Sequence, residues 1–449
     1  MNQLGGHNTV RAESGLVRSI LLSRWFLPIM LVLASAIRLC WIFLFRPNPV
    51  SDYAFYFRSA ESIAEGFGYS AHGAATAYFP VGYPLFLGIL FRAFGISVTV
   101  AEAANLFCSV ASLVLAYRVA RYVSGSEVAA RLFLLFVAVY PNNVAYTSLA
   151  SAEIFYLFLL FLGVDLLLPS VSSTGGTHAG RLLMAGFVFG VATLVKVQTL
   201  LLPAFLLLLF PQFSWEAKSL LNRLKRGAVL YVPLILVLCP WVIRNYGVFN
   251  GFVLSNNGGI NLYIGNGPGA NGTWVEPPIF DTSQGVMHDY RNDQAARREA
   301  IAYIETHPWQ TMTLFPEKFL ALIDHGDGVY WNDLGTPKES SLQRTALLWL
   351  DEVNRVYESA IYVLFAGSLF WAGWKELRWG RESGWSPLGI VVILYFAAIY
   401  LVFYGASRYN FPIIPWMIMY SAALLSSILS VSQVFFPKSA QCRKGSLPC

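Results

Sequence analysis

The sequence predicts an all-α, polytopic membrane protein, and three observations support this fold class. Apolar residues make up 56% of the 449 residues, charged residues only 12%, and the mean hydropathy is +0.53. Soluble domains average roughly 45–50% apolar and about 25% charged residues, so a soluble, disordered or fibrous protein is excluded. The apolar residues also form continuous runs such as 200–210, whereas an outer-membrane β-barrel needs alternating polar and apolar residues.

About ten segments are predicted as membrane spans from their length and apolar composition. The first can span by itself, so we expect no cleavable leader. The stretch 181–211 has two interpretations: two short helices that turn near Lys196, or one long helix with a re-entrant piece. The apolar segment 80–96 is too short to cross, and we expect a helix in the membrane interface. The predicted spans are 25–45, 99–120, 127–146, 149–169, 181–196, 198–211, 227–245, 356–374, 387–405 and 409–432.

Lysine and arginine predict the orientation of these spans. Most basic residues fall in short loops on the side that also carries both termini, so this side is expected to be cytoplasmic. The long loops 46–98 and 246–355 then face outward, toward the periplasm or an equivalent lumen. We therefore divide the chain into an N-terminal membrane module (1–245), an outer loop domain (246–355) and C-terminal membrane helices with a cytoplasmic tail (356–449).

The second outer loop contains a predicted amphipathic helix, DQAARREAIAYIET at 293–306. Ala296, Ala300, Ile301 and Ile304 line one face at helical spacing. The dipeptide that follows, His-Pro, is expected to end this helix.

Five charged residues are predicted to lie at the outer edge of the membrane, although they come from distant segments. Charges in or beside a membrane span are costly and therefore point to function. Each also has a structural alternative, such as a helix cap for Asp52, a bridge to a base like Arg118 for Glu153, and anchoring or snorkelling for the cations. The five residues are Asp52, Glu153, Lys196, Arg244 and Arg408.

One carboxylate facing several cations at a membrane surface suits a particular chemistry. A carboxylate can deprotonate a hydroxyl as a general base. Arginine and lysine can hold a phosphate and stabilise it as it leaves. These requirements match transfer of a group from a lipid phosphate to a hydroxyl acceptor. They match simple binding of a lipid phosphate equally well, so both remain open at this point.

Three other charged residues have structural interpretations. Arg38 lies inside the first span and is expected to snorkel or to contact another helix. Arg58 and Glu61 are three residues apart on one predicted helix, and we interpret them as a surface pair.

Cofactor and partner motifs are weak. The glycine-rich run 264–272 does not follow a strand in a βαβ unit, so a nucleotide loop is rejected. The five cysteines show no pairing pattern, and the net charge of +6 is expected to orient loops rather than to bind nucleic acid. Possible metal ligands match no strong spacing, so we expect no metal or other cofactor. Those possible ligands are His288, Asp289, Asp324, His325 and Asp327.

Several sequence blocks between about residues 25 and 430 carry a family resemblance. The first outer loop holds SDYAFYFRSAESIAEGFGY at 51–69 and YFPVGYPLFLGILFRAFG at 78–95. In content and order, the blocks resemble the GT-C glycosyltransferases, in particular the bacterial branch related to dolichyl-phosphate-mannose protein mannosyltransferases and to the lipid A aminoarabinose transferase. The later blocks are SAEIFY at 151–156, PWVIRNYGVF at 240–249, EAIAYIETHP at 299–308 and SRYNFPIIPW at 407–416.

The resemblance implies a GT-C type fold of about ten transmembrane helices, with juxtamembrane helices in the first outer loop and an outer loop domain. It also implies a reaction: a sugar moves, with inversion, from a polyprenyl-phosphate carrier to a hydroxyl acceptor on the outer face. The acceptor could be a glycolipid, an envelope glycan or a protein.

The resemblance also assigns roles to particular residues. Asp52 takes the position of the general base, and Glu153 that of a second acid that orients the acceptor or the sugar. Arg408, Arg244 and Lys196 are expected to bind the phosphate. The residues expected to border the carrier lipid are Tyr78, Pro80, Tyr83 and Pro84.

The sequence departs from its relatives at two places. The aminoarabinose branch has a lysine before the proline pair, where this chain has Tyr78-Phe79-Pro80-Val81, so that branch's sugar and acceptor are not carried over. Many relatives have an arginine where this chain has Lys196. Lysine is a point charge rather than a planar fork, so bidentate phosphate contact is not expected there.

Two other functions are alternatives to a transferase. A flippase or transporter for lipid-linked sugars would place its charges near the membrane midplane, often between paired repeats. Here the charges collect at one edge, and no repeat is evident. A non-catalytic scaffold for envelope assembly would tolerate replacement of Asp52 and Arg408.

The predicted orientation can be tested with reporter fusions. Green fluorescent protein fused after residue 434 should fluoresce, and alkaline phosphatase fused there should be inactive, because this end is expected to be cytoplasmic. Both results should reverse for fusions after residue 276, in the second outer loop. The opposite pattern would place Asp52 on the cytosolic side and contradict the orientation.

Overall fold

The computed structural model of this protein is almost entirely helical. It describes residues 18–71, 73–172, 179–209, 217–276, 290–337, 340–379 and 385–434. Within these ranges, β1 (Ser70–Ala71) and β2 (Ala74–Ala75) form one antiparallel hairpin. The helices of the first 250 residues are α1 Phe26–Leu44, α2 Ser51–Ala64, α3 Gly82–Phe94, α4 Val98–Ser124, α5 Glu127–Val139, α6 Pro141–Ala145, α7 Ala152–Ser172, α8 Ala179–Val195, α9 Leu202–Leu209 and α10 Ala217–Phe249. The later helices are α11 Gly258–Asn266, α12 Tyr290–Thr306, α13 Pro308–Thr313, α14 Phe315–Leu322, α15 Gly328–Gly335, α16 Ser341–Trp379, α17 Leu388–Val402 and α18 Ile414–Val434.

The long apolar helices confirm the predicted class, an all-α multi-pass membrane protein. In the described ranges, five helices are long and apolar enough to cross a membrane. The pair Glu127–Val139 and Pro141–Ser148, bent by 53°, gives a sixth if it counts as one span. Every predicted span coincides with a helix or with neighbouring helices. Ten crossings stay a prediction, because several of these helices are shorter, such as α17 with 15 residues.

The structure decides between the two interpretations of the 181–211 stretch. Helix α8 ends at Val195, Lys196 is extended (φ −141°, ψ 108°), and a short 3₁₀ turn, Val197–Thr199, leads to α9. The stretch is therefore two short helices that turn at Lys196. This break gives the lysine a position beside the turn rather than inside a helix.

Two glycines let α8 pack closely against α10. A Cβ on Gly186 would lie 1.9 Å from the carbonyl oxygen of Leu230, and one on Gly190 would lie 2.9 Å from Val237. Small residues four apart on a membrane helix allow backbones to approach, and dispersion then replaces the hydrophobic effect as the attraction. This contact fixes the position of α8, and with it the turn that carries Lys196.

The juxtamembrane helices α2 and α3 pack against each other, and α3 also packs against the end of α8. A Cβ on Gly88 of α3 would lie 2.9 Å from the carbonyl oxygen of Ala60 in α2, and one on Gly82 would lie 2.7 Å from that of Leu194 in α8. With 13 residues, α3 is about 20 Å long and too short to cross a bilayer core of about 30 Å. The packing brings the start of α2, with Asp52, toward the end of α8.

The part of the chain between α10 and α16, here called the outer segment because it is predicted to face outward, is built from short helices. Helix α10 runs through residue 245 and α16 runs through residue 355, so both predicted domain boundaries fall inside continuous helices. The predicted amphipathic helix is present as α12, with Ala296 and Ala300 buried. Ile301, predicted on the same face, is exposed. The division into three parts stays a prediction.

A buried carboxylate joins the first two helices of the outer segment. Asp293 of α12 is fully buried, and its Oδ1 accepts hydrogen bonds from the backbone N–H groups of Gly259 (2.5 Å) and Ile260 (3.1 Å). These N–H groups open α11 and have no partner inside that helix. Asp293 therefore caps α11 from outside and offsets the positive end of its dipole.

The close contact between α8 and α10 can be tested by enlarging Gly186. In Gly186→Leu the new side chain would overlap the backbone of Leu230, and overpacking of this kind costs about 1–3 kcal/mol or more. We expect a lower melting temperature in detergent and a lower yield of monodisperse protein. The control is Gly227→Leu, because a Cβ there meets no atom within 4 Å. Equal behaviour of the two variants would contradict the packing.

Candidate active site

Four charged side chains from four distant segments form one cluster at the end of the helices that is predicted to face outward. Nη1 of Arg408 donates to Oδ2 of Asp52 at 2.6 Å, and its Nη2 lies 3.4 Å from Oε1 of Glu153. Nζ of Lys196 donates to the same Oε1 of Glu153 at 3.0 Å. The cluster holds two acids and two bases, so it is formally neutral. It joins four of the five residues that the sequence analysis selected.

Arg408 occupies the centre of the cluster because of the turn on which it lies. The 3₁₀ turn Ser407–Asn410 links α17 to α18. Nδ2 of Asn410 donates to the backbone oxygen of Asp324 at 2.8 Å, which fixes the end of the turn. The guanidinium of Arg408 also lies over the ring of Tyr53, with its carbon 5.8 Å from the ring centroid.

The chain before this turn is held by a buried lysine of the outer segment. Nζ of Lys318 donates to Oδ1 of Asn266 at 2.6 Å and to the backbone oxygen of Leu401 at 3.1 Å. Burial lowers the pKa of Lys318 to about 8. A Cβ on Gly405 would lie 2.1 Å from the backbone oxygen of Lys318, so only glycine fits there. The outer segment thereby positions the end of α17 and the turn with Arg408.

Asp52 lies in the first turn of α2, next to a residue with an unusual backbone. Ser51 has φ +51°, in the left-handed region that costs an L-residue about 1–2 kcal/mol. The preceding chain is anchored where the N–H of Asn48 donates to the backbone oxygen of Gly335 at 2.9 Å. The side chain of Asp52 is 30% exposed. Its Oδ2 faces Arg408, and its other oxygen has no partner among the described residues.

Glu153 is the buried centre of the anionic side of the cluster. It lies in the first turn of α7, and its side chain is only 1% exposed. One oxygen contacts both Lys196 and Arg408, whereas Oε2 is buried and has no hydrogen-bond partner among the described residues. The alternative bridge to Arg118 does not form, because Arg118 pairs with Asp165 at 2.9 Å. Glu153 therefore holds the two cations together.

Arg244 lies apart from this cluster. Its Nη1 donates to the backbone oxygen of Thr76 at 2.7 Å, and its Nη2 donates to that of Tyr69 at 2.9 Å. The guanidinium also packs on Trp241, with its carbon 4.9 Å from the ring centroid. These contacts tie α10 to the hairpin of the first outer loop. No sequence pattern marked these partners, because they are backbone carbonyls.

A cavity of about 1050 Å³ lies beside Asp52, which is one of its lining residues. It is bordered by α2, by the β1–β2 hairpin and by the chain at Tyr78 and Phe79. Arg244 lines its far wall. Asp52 and Arg244 therefore face one space, although no contact joins them. Arg58 and Glu61, interpreted from sequence as a surface pair, also line it and form no ion pair with each other in the described structure.

The four residues expected to border the carrier lie in different surroundings. Tyr78 lines the cavity. Tyr83 is buried against Tyr56, with ring centroids 5.7 Å apart. Pro84 is buried at the start of α3, and Pro80 is half-buried.

A second layer of side chains supports Arg408 and was not assigned to the site from sequence. Asp327 accepts hydrogen bonds from the hydroxyl of Tyr146 at 2.6 Å and from Nε1 of Trp331 at 2.7 Å. The ring of Trp331 meets Tyr53 edge to face, with centroids 5.3 Å apart. Burial raises the pKa of Asp327, and the charge of nearby Arg408 opposes that rise. The sequence marked Asp327 only as a possible metal ligand.

The remaining metal-ligand candidates have other partners. His288 and Asp289 lie outside the described residues. Nδ1 of His325 is 2.9 Å from Asp324, and its Nε2 is 3.2 Å from Asp351. Among the described residues, no group of three or more His, Cys, Asp or Glu side chains is arranged to hold a metal.

A buried acid on α16, Glu358, holds Tyr140 and the chain at Gly326 together. Oε1 of Glu358 accepts a hydrogen bond from the hydroxyl of Tyr140 at 2.6 Å, and Oε2 accepts one from the N–H of Gly326 at 3.0 Å. Arg38 of α1 also joins helices, because it donates to the backbone oxygen of Ala138 at 3.0 Å and to Oδ1 of Asn143 at 2.7 Å. Arg38 thus makes the helix contact that we expected.

Known structures with a similar fold place this geometry in a wider context. No protein-family model and no curated protein matches the sequence. Two structures of the oligosaccharyltransferase AglB from Archaeoglobus fulgidus align over 91% of this chain, with TM-scores of 0.51 and 0.53 and identities of 13% and 12%. The chain has the GT-C fold. It spans about half of AglB, 51% and 50% of those chains.

A bacterial structure is also similar. ArnT from Cupriavidus metallidurans, bound to undecaprenyl phosphate, aligns over 91% of this chain and 78% of its own, with 12% identity and a TM-score of 0.44. The two A. fulgidus alignments, with TM-scores above 0.5, confirm the GT-C type fold predicted from the sequence blocks. At identities of 12–13% they show the fold alone.

The charge cluster can be tested through stability. Arg408→Ala would leave Asp52 and the buried Glu153 without their shared partner, and such a loss costs about 3 kcal/mol or more. We expect a lower free energy of unfolding, measured by denaturant titration in detergent. The control is Arg355→Ala, which removes an exposed pair with Glu352 at 3.6 Å and should cost less than about 1 kcal/mol. Similar losses in the two variants would contradict the cluster.

Proposed function

We propose that this protein is an inverting glycosyltransferase that moves a sugar from a polyprenyl-phosphate carrier to a hydroxyl acceptor. The observation that carries the proposal is the position of Asp52. One oxygen of its carboxylate is bound by Arg408 at 2.6 Å, the other has no partner among the described residues, and the residue lines the cavity. A base is thus placed between a cationic pair and a space for an acceptor.

The cationic pair supports a phosphate as the leaving group. Arg408 has five N–H donors and Lys196 has three, and the cluster contacts use two of the first set and one of the second. The remaining donors can bind phosphate oxygens as negative charge develops. One of the AglB structures with this fold is in complex with a dolichol-phosphate, which supports a lipid-linked phosphate for this chain as well.

The proposed reaction is a single displacement at the anomeric carbon. The free oxygen of Asp52 accepts the proton as the acceptor O–H bond breaks, and the acceptor oxygen forms a bond to the anomeric carbon from the face opposite the phosphate. The bond between that carbon and the phosphate oxygen breaks, and its electron pair leaves with the polyprenyl phosphate. The phosphate gains one negative charge, and Arg408 and Lys196 stabilise that charge. Asp52 then releases its proton to solvent.

Two other residues take supporting roles in this proposal. Glu153 holds Lys196 and Arg408 together through Oε1, and its unpartnered Oε2 offers an acceptor for a hydroxyl of the donor sugar. An unpaired buried carboxylate oxygen is costly, so such a hydroxyl would be bound favourably. Arg244 keeps the wall of the cavity in place through its bonds to Thr76 and Tyr69, and we assign it to the loop rather than to the phosphate.

The proposal also sets the location of the reaction. We place the protein in the inner (plasma) membrane with the site on the periplasmic side, as the distribution of Lys and Arg predicts. The carrier would approach along α3, past Tyr83 and Pro84, and would place its phosphate near the turn at Lys196. Membrane and protein exclude water there, which strengthens the ionic contacts and limits hydrolysis of the donor.

Replacement of the proposed base tests this mechanism. Asp52→Asn keeps the shape and can still accept the hydrogen bond from Arg408, but it cannot take the acceptor proton. We expect kcat for sugar transfer to fall about a hundredfold or more, measured with purified protein and the cell's own lipid extract as donor. The control is Asp165→Asn. Asp165 lies on α7 and pairs with Arg118 of α4, and this variant should keep normal kcat. Near-normal turnover of Asp52→Asn would refute the role.

A further inference from the structure

We propose that the cavity beside Asp52 binds the acceptor, and that this acceptor is a glycan with several sugar units, either free or as the headgroup of a glycolipid. This inference rests on the proposed function and names the acceptor class for the same site. It is carried by one wall of the cavity, the side of α2 and the loop after it. In the described part of the chain, that wall combines an exposed aromatic ring with charged side chains that have no partner among the described residues.

The charged side chains follow α2 away from Asp52. Arg58, Glu61 and Glu65 all line the cavity. In the described structure, none of the three takes part in an ion pair or a side-chain hydrogen bond. Carboxylates only accept hydrogen bonds and guanidinium groups only donate them, whereas a sugar hydroxyl does both. Neighbouring hydroxyls of a sugar ring can therefore donate to the glutamates and accept from Arg58.

An exposed aromatic ring lies at the same wall. Phe67 is 76% exposed and lines the cavity. The glycines on either side, Gly66 (φ +92°) and Gly68 (φ +75°), adopt backbone conformations that L-residues rarely take. The loop thus projects the ring outward instead of burying it. The negative face of an aromatic ring attracts the slightly positive C–H face of a sugar, which gives this exposed ring a partner.

The spacing along α2 sets the size of the acceptor. At 1.5 Å per residue, Arg58 lies about 9 Å and Glu61 about 14 Å along the helix axis from Asp52, and nine residues also turn Glu61 about half a turn around α2, so the cavity that they line wraps around the helix. A group that presents one hydroxyl to Asp52 and others to Glu61 must extend over that length. The hydroxyl of a simple lipid would gain nothing from unpaired charges. An extended peptide of about four residues can span this length, but it offers few hydroxyls along it. A chain of sugars satisfies both the length and the repeated hydroxyls.

The test separates acceptor binding from donor chemistry. Purified protein is given synthetic undecaprenyl-phosphate hexoses, and two products are measured: undecaprenyl phosphate released without acceptor, and transfer to p-nitrophenyl disaccharides or to a serine- and threonine-containing peptide. Arg58→Gln, Glu61→Gln and Phe67→Ser should each raise KM for the disaccharide. We expect about a ten- to hundredfold rise for the two charged positions, the range for a lost charge-assisted hydrogen bond. Release without acceptor should stay unchanged, which also shows that these variants fold.

Matched controls lie on the outer helix α12 and on α3. Arg298→Gln and Glu299→Gln change exposed charges of the same types away from the cavity, and Phe94→Ser changes a phenylalanine that is 74% exposed. All three should behave as the unmodified protein. The glycan inference is overturned if the cavity variants match these controls, or if the peptide is glycosylated and no disaccharide is. Absence of undecaprenyl phosphate release from every donor, both with and without each acceptor, would instead refute the proposed function itself, and the inference with it.

Discussion

The structure depends on one arginine that must satisfy two carboxylates at once. Arg408 contacts Asp52 on the juxtamembrane helix and Glu153 on a membrane helix, and Glu153 in turn holds Lys196. Removing these charges from water costs free energy, and that cost is offset only because each charge has a partner of opposite sign. The fold supplies the required geometry: glycine contacts fix α8 and α3, and the outer segment clamps the chain that leads to Arg408.

The membrane helices could be predicted from the sequence because burial in lipid imposes one strong rule, an apolar run of sufficient length. Asp52, Glu153, Lys196 and Arg408 lie at or near the ends of these runs, so the sequence also predicted that they share one edge of the membrane. The turn at Lys196 was only one of two possibilities, since hydropathy does not separate two short helices from one long helix with a re-entrant piece. The outer segment was harder, and the exposed Ile301 shows that its pattern was only partly informative.

The parts of the site that escaped prediction share a physical reason. Arg244 binds backbone carbonyl oxygens, and every residue has one, so no side-chain pattern could reveal its partners. Asp327 supports Arg408 through Tyr146, Trp331 and Tyr53, a chain of contacts between residues that are far apart in sequence. Arg58 and Glu61 looked like a local pair at helical spacing, whereas both line the cavity beside α2 and form no ion pair with each other in the described structure.

The order in which the charges of the cluster occur along the chain has a consequence for biogenesis. Asp52, Glu153 and Lys196 are synthesised well before residue 408, which arrives only ahead of the last helix, α18. Until the ribosome has made that turn, the nascent protein holds two acids against a single base, and it lacks the cation that binds Asp52. A chain interrupted before this point therefore cannot form the neutral cluster, and premature termination leaves Asp52 without the arginine that binds it.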